Sequence, residues 1–270
     1  MKALAYQYRE SKDKRGTVKH VIVDGLDISY DVLGSNKPIL MIHGWGSNSL
    51  TYADLAKKVS ASHKVILIDL PGFGSSQTPS VAWDLKKYAE FLEKFLKKIG
   101  VDNLYGLIGH SLGGRIAIYA QSHGKLNSDR LILLASHGIA SQRDPRVLAF
   151  KILSKTGKAV SQILPKSKRE SLKRNLYQKA GSTDYLNTSP AMKGTFLNII
   201  KQDLKADAKN IPTKTLLIYG SKDDMTPVKF GELFDKAIPD SKLKIIPEAG
   251  HYVHLDYPQE VTKLTEDFLR

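Results

Sequence analysis

A serine set between glycines, two adjacent aspartates and a histidine behind a late apolar run are the residues of this 270-residue chain that could do chemistry together. Ser111 lies in Gly109-His110-Ser111-Leu112-Gly113-Gly114. The run Leu104-Tyr105-Gly106-Leu107-Ile108 before it reads as a short buried strand, and Arg115 to Gln121 after it as the start of a helix. Strand, sharp glycine-flanked turn and helix make a nucleophile elbow, a strained turn that exposes the serine hydroxyl. The glycines remove Cβ atoms where the turn needs unusual dihedrals and close backbone approach. The helix that follows aims its N-terminal amides and positive dipole end at the reaction centre.

A serine hydroxyl is a weak nucleophile near neutral pH and needs a general base. Histidine suits, because its unperturbed pKa lies near the working pH. Among eight histidines, His251 is best placed, in Ala249-Gly250-His251-Tyr252-Val253-His254 directly after the last apolar run. His254 reads as a supporting contact or a solvent-exposed residue. The base needs an acid to hold its tautomer and stabilise the imidazolium. Asp223 and Asp224 both follow the apolar run ending at Tyr219, in Gly220-Ser221-Lys222-Asp223-Asp224-Met225-Thr226-Pro227. Asp224 has a second reading as the cap of a helix starting near Pro227, and spacing alone does not separate the two.

Acyl transfer also needs donors for the oxyanion that develops on the carbonyl. One is expected from the backbone N–H of Leu112, directly after the nucleophile. The second is expected from the backbone N–H of Trp45, in His43-Gly44-Trp45-Gly46 after the run ending at Ile42.

Apolar runs at 39–42, 65–68, 131–134, 215–219 and 243–246 are continuous rather than alternating, as in strands buried on both faces of a parallel sheet. Val18 to Val32 alternates loosely around Asp24-Gly25, which predicts two early antiparallel strands. Helical patterns fall at 84–98, 113–121, 228–237 and 259–269, so the class is α/β with right-handed crossovers. Nearly 80 residues separate the strand near Leu134 from the next at Thr215. A structureless loop of that length is improbable in a compact domain, so a helical cap inserted above the sheet is expected. The division is then 1–138 core, 139–208 cap and 209–270 core. Within the cap Leu148, Phe150, Ile152, Leu153, Ile163, Phe196 and Leu197 read either as a substrate-binding wall or as the cap's own core.

Cysteine is absent, which excludes disulfides, thiolate metal sites and a cysteine nucleophile. The first twenty residues lack a signal-peptide core and no apolar run has membrane-spanning length, so a soluble, cytoplasmic protein without a transmembrane segment is expected. The net charge is +14, and 14 Lys and Arg stand against four Asp and Glu between Ile139 and Ala206. That surplus reads as a solvated helical surface or as attraction for anions. No nucleic-acid motif accompanies it, so no specific nucleic-acid partner is expected.

Taken together these residues resemble the α/β-hydrolase superfamily over nearly the whole chain. The matching motifs are His43-Gly44-Trp45-Gly46, Asp69-Leu70-Pro71-Gly72-Phe73-Gly74, Gly109-His110-Ser111-Leu112-Gly113-Gly114, Gly220-x-x-Asp223-x-x-x-Pro227 and Gly250-His251. The chain order Ser, Asp, His is the one such enzymes use. The resemblance implies a mostly parallel sheet flanked by helices with an inserted cap, and a triad of Ser111, Asp223 and His251, because the family acid occupies the fourth position of the Gly-x-x-Asp block. It resembles serine carboxylesterases with a lid, and dehalogenases and epoxide hydrolases are set aside because their nucleophile is aspartate. The implied activity is hydrolysis of small alkyl or aryl esters, with oligo- or polyesters as further substrates, and no metal or organic cofactor. Two alternatives stand beside it. One is a carbon–carbon hydrolase or a lyase of the menaquinone-synthesis type, in which an arginine placed like Arg115 helps to bind substrate carboxylates. The other is a non-catalytic ligand receptor of the same fold. Arg115 also reads as a packing residue or a surface ion pair, and the oligomeric state is left open.

Overall fold

The computed structural model describes residues 18–139 and 188–270. Within them the strands are β1 (Lys19–Val23), β2 (Leu26–Leu33), β3 (Pro38–Ile42), β4 (Lys64–Ile68), β5 (Leu104–His110), β6 (Ser128–Leu134), β7 (Lys214–Gly220) and β8 (Ser241–Ile246). They form one eight-stranded sheet in the order β1-β2-β4-β3-β5-β6-β7-β8. Asp24 and Gly25 turn β1 back onto β2, and β2 lies antiparallel to β4. Every other pairing is parallel, as continuous apolar runs require.

Period-two alternation sorts each inner strand between two cores. Leu40, Ile42, Ile66 and Ile68 pack on one face with Tyr88, Phe91, Phe95 and Ile116. Ile39, Met41, Val65 and Leu67 pack on the other with Leu55, Val59, Val261 and Leu269. The first face is covered by α2 (Leu85–Lys98) and α3 (Leu112–Ser122), the second by α1 (Ala53–Val59). Asp84 caps α2 by accepting from the Lys87 amide at 2.8 Å, and the buried residues of α2 recur at helical spacing.

Residues 140–187, most of the expected cap, lie outside the described residues, and Leu148, Phe150, Ile152, Leu153 and Ile163 lie there with them. The returning chain forms α4 (Pro190–Lys201) and α5 (Lys205–Ala208) before β7. Side chains fasten α4 to the core. Thr195 Oγ1 accepts from the Trp83 amide at 2.8 Å, Asn198 donates to the Trp83 carbonyl at 3.2 Å, and Gln202 accepts from the Leu85 amide at 3.1 Å. The Leu204 amide donates to the Gly138 carbonyl at 2.7 Å, which joins the departing and returning chain. The remaining helices are α6 (Val228–Ala237), α7 (Val253–Asp256) and α8 (Pro258–Leu269). No helix among the described residues is long and apolar enough to cross a membrane.

Candidate active site

The parallel strands bring His43, Ser111, the 220–227 loop and the loop after β8 to one edge of the sheet, at the strands' carboxyl ends. Ser111 caps α3 at φ 51° and ψ −107°, a positive φ that a non-glycine residue adopts only where its surroundings impose it. Its amide donates to the Leu134 carbonyl at 3.0 Å and its carbonyl accepts from the Arg115 amide at 3.1 Å. Gly113 allows the close approach behind this turn: a Cβ there would stand 2.0 Å from the Ile42 carbonyl oxygen. The same packing sets Ser111 against the loop after β3, where a Cβ on Gly44 would stand 3.3 Å from the Ser111 Cβ.

His43 and Asp69 shape the loops that meet Ser111. The ring of His43 is fully buried, and its nitrogens lie 2.8 Å from the Gly44 carbonyl and 3.0 Å from the Leu70 amide. These partners assign Nδ1–H as donor and Nε2 as acceptor. Burial holds the His43 pKa below its ordinary value against the pull of the Gly44 carbonyl and Asp69, so the ring stays neutral. Asp69 accepts from the amides of Ser49 and Ser75, both at 2.8 Å. Gly44 to Ser47 form a turn closed at 3.3 Å with Gly46 at φ 67°, so the turn leaves the Trp45 amide outside its own hydrogen bond. Leu112 is the first residue of α3, and its amide is among those a helix N-terminus leaves unpaired.

Asp223 and His251 meet directly. His251 Nδ1 lies 2.9 Å from Asp223 Oδ2, and the two side chains are 8% and 0% exposed. Asp223 Oδ1 accepts from the amides of Met225 and Thr226, both at 2.8 Å, and Oδ2 also accepts from the Thr226 hydroxyl. Burial raises the Asp223 pKa, but the His251 hydrogen bond and charge together with the Thr226 donors outweigh it and leave the carboxyl below its ordinary value. Asp224 is exposed, and α6 carries no side-chain cap, so the alternative reading of Asp224 as a helix cap is not what forms.

Behind His251 lie further rings. His110 stands 4.8 Å from His251 and 4.9 Å from His254 between centroids, and its Nε2 is 2.9 Å from the His251 carbonyl oxygen. His254 is 3% exposed and stacks on Tyr52 at 5.0 Å. Of its two sequence readings, the supporting contact is the one found. Burial, reinforced by the neighbouring histidines, puts the pKa of His110 well below its ordinary value, and burial with the His251 charge puts that of His254 at about 3.

Arg115 is placed as a packing residue. Its guanidinium is buried and bonds His137 Nδ1 at 2.7 Å, the Ile199 carbonyl at 2.5 Å and the Gln202 carbonyl at 2.8 Å, at the end of α4. Burial lowers its pKa to about 10. Three of its five N–H donors are thereby taken up by the fold, and Nε is buried as well. Phe196 on α4 stands edge-on to Trp45 at 5.0 Å, and Trp45 stands edge-on to Phe73 at 5.0 Å. The three rings make an aromatic wall beside the Gly44–Ser47 turn. Among the described residues no group of three His, Cys, Asp or Glu side chains is arranged to hold a metal ion.

Sequence reasoning passed over Thr226 and His110. The signal for Thr226 was local: an aspartate followed three residues later by threonine is the spacing of an Asx turn with a hydroxyl returning to it. His110 carried no such signal, because its partner lies 141 residues away.

Comparison with known proteins agrees with this architecture. A family model described as alpha/beta hydrolase fold matches residues 37–258. A pimeloyl-[acyl-carrier protein] methyl ester esterase of Chromobacterium violaceum is 25% identical over 90% of this chain and 98% of its own. A 2-hydroxy-6-oxo-6-(2'-aminophenyl)hexa-2,4-dienoic acid hydrolase of Metapseudomonas resinovorans is 23% identical over 98% of this chain and 95% of its own. Among solved structures, an esterase from Exiguobacterium antarcticum superposes with a TM-score of 0.73 at 23% identity, covering 93% of this chain and 98% of its own, a likeness of fold. With a serine turn at the sheet edge and a family match spanning most of its length, this chain belongs to the α/β-hydrolase fold family.

Proposed function

We propose that this hydrolase cleaves carboxylic esters through Ser111, His251 and Asp223 and a covalent acyl-enzyme. The observation that carries the reading is the 2.9 Å bond between the buried side chains of Asp223 and His251, at the sheet edge that also holds Ser111 at φ 51°. With Nδ1–H given to Asp223, His251 Nε2 is the basic nitrogen that takes the Ser111 proton as Oγ attacks the ester carbonyl. The oxyanion is received by the amides of Leu112 and Trp45. The tetrahedral intermediate collapses as protonated His251 gives its proton to the leaving alkoxide, and water activated by the same histidine then releases the acid. No step requires a metal or an organic cofactor.

The wall of Trp45, Phe73 and Phe196 suits an apolar acyl or aryl group on a small-molecule ester. The ester-cleaving relative named above supports the same bond type. The carbonyl partners of Arg115 speak against a substrate anchored there by its carboxylates.

Turnover of p-nitrophenyl acetate and butyrate tests the reading. Wild-type protein is expected to hydrolyse both, and Ser111→Ala to lose at least about a thousandfold in rate while keeping its melting temperature. An unchanged rate in Ser111→Ala removes the nucleophile assignment. Hydrolysis of a vinylogous diketone in place of the esters assigns the site to carbon–carbon cleavage instead, and turnover of neither leaves a receptor.

A further inference from the structure

The Thr226 hydroxyl sits where three polar atoms converge. It donates to Asp223 Oδ2, lies 3.0 Å from the Ala135 carbonyl oxygen and lies 3.2 Å from His251 Nδ1. Its residue is 3% exposed, so no bulk water competes for these contacts. Ala135 follows β6 at φ 44°, and its amide donates to the Ile218 carbonyl at 2.8 Å, which fixes the carbonyl that faces Thr226. Residue 226 therefore touches the acid, the base and the strand end whose Leu134 carbonyl holds the Ser111 amide.

Counting protons shows what this hydroxyl does. The Asp223 carboxylate has about four acceptor sites. Met225 and Thr226 amides fill two on Oδ1, and His251 Nδ1–H and the Thr226 hydroxyl fill two on Oδ2. Without the hydroxyl, Oδ2 faces the imidazole alone and concentrates its charge there. With it, that charge is shared and the carboxylate is held in one orientation, while the hydroxyl lone pair accepts a second, longer contact from Nδ1–H.

Resting on the ester-hydrolase reading, we propose that Thr226 is a positioning residue of this site. Its hydroxyl orients the Asp223 carboxylate and shares the negative charge that Oδ2 turns toward His251 Nδ1. The other titratable groups around the pair are Tyr219 beneath Asp223 and His110, Tyr252 and His254 against His251. His110 and His254 stay neutral near pH 7 because burial depresses both.

Two measurements on Thr226→Val and Thr226→Ser test this. In the first, the His251 imidazole is titrated by NMR, which does not depend on turnover. Thr226→Val is expected to raise its pKa by about one unit, through the unshared charge on Oδ2, and Thr226→Ser to return it most of the way. In the second, kcat for p-nitrophenyl butyrate is expected to fall about tenfold in Thr226→Val with little change in KM, its acid limb moving up with the imidazole. A valine variant with the wild-type imidazole pKa overturns the proposal, as does a serine variant that titrates like valine. Should valine fail to fold, Thr226→Ala takes its place against serine. A wild-type protein inactive on esters sinks the ester reading alone, because the NMR titration still decides the role of Thr226.

Discussion

His110 Nε2 lies 2.9 Å from the carbonyl oxygen of His251, so the residue before the serine is hydrogen-bonded to the main chain of the histidine. The bond spans 141 positions of sequence and links β5 to the loop after β8. It assigns Nε2–H as donor, which the neutral ring provides. The turn carrying Ser111 and the loop carrying His251 are thereby held in register by a side chain bonded to backbone.

Replacing His110 by leucine removes the donor and leaves the His251 carbonyl without it. Leucine at this position is expected to cost about 1–3 kcal/mol of stability. On the proposed mechanism, ester turnover should fall with it, and more than KM rises, because His251 rather than the binding surface is displaced. Urea denaturation paired with steady-state kinetics checks both; full stability together with wild-type kcat would show the bond to be dispensable.

The two aspartates are separable by exchange to asparagine. Asp223→Asn exchanges a charged acceptor for an amide that favours the wrong imidazole tautomer, and a loss of about 10⁴ in kcat is expected. Asp224→Asn, on an exposed side chain, should stay within a fewfold of wild type. The opposite ranking in ester turnover would move the acid by one position.

His254 makes acid stability measurable. Its folded pKa of about 3 lies below the ordinary 6.5, so between those values the unfolded chain binds a proton that the folded protein refuses. Stability is therefore fully present above about pH 6.5 and declines as pH falls toward 3, by up to about 1.4 kcal/mol per pH unit for this group. His110, also depressed, adds in the same direction. Urea midpoints taken at pH 7, 6 and 5 should fall less in His254→Phe, which keeps a ring against Tyr52 and cannot charge. Parallel slopes in the two proteins would mean that His254 titrates normally.

Arg115→Met separates packing from substrate recognition. The methionine strips donors from the Ile199 and Gln202 carbonyls, and a loss of about 2–4 kcal/mol is expected. The ratio of turnover on neutral and carboxylate-bearing esters should not move. A selective loss on the carboxylate-bearing ester, at unchanged stability, would return Arg115 to the substrate.

The parts of this molecule that were legible in sequence are those governed by local pattern. The runs at 39–42, 65–68 and 131–134 are strands because both faces are buried, and α6 spans the same Val228–Ala237 that periodicity marks. Asp24-Gly25 forms the turn its residue types favour. The antiparallel seam of β2 with β4 and the short helix Val253–Asp256 were not legible, since one depends on partners distant in sequence and the other is too short to show a period. The same division runs through the site. Ser111 and His251 stand in glycine-marked loops, whereas the roles of His110, Thr226 and Arg115 depend on which distant carbonyl, carboxylate or ring each one meets.

The Leu204 amide and the Gly138 carbonyl close a narrow neck, 2.7 Å across, between the chain that leaves β6 and the chain that returns to β7. The described part of the returning chain is pinned a second time, by Thr195, Asn198 and Gln202 against Trp83 and Leu85. A backbone clasp and a row of side-chain clasps thus fix where the chain re-enters the fold ahead of β7, and the loss of either one leaves the other to hold that point of entry.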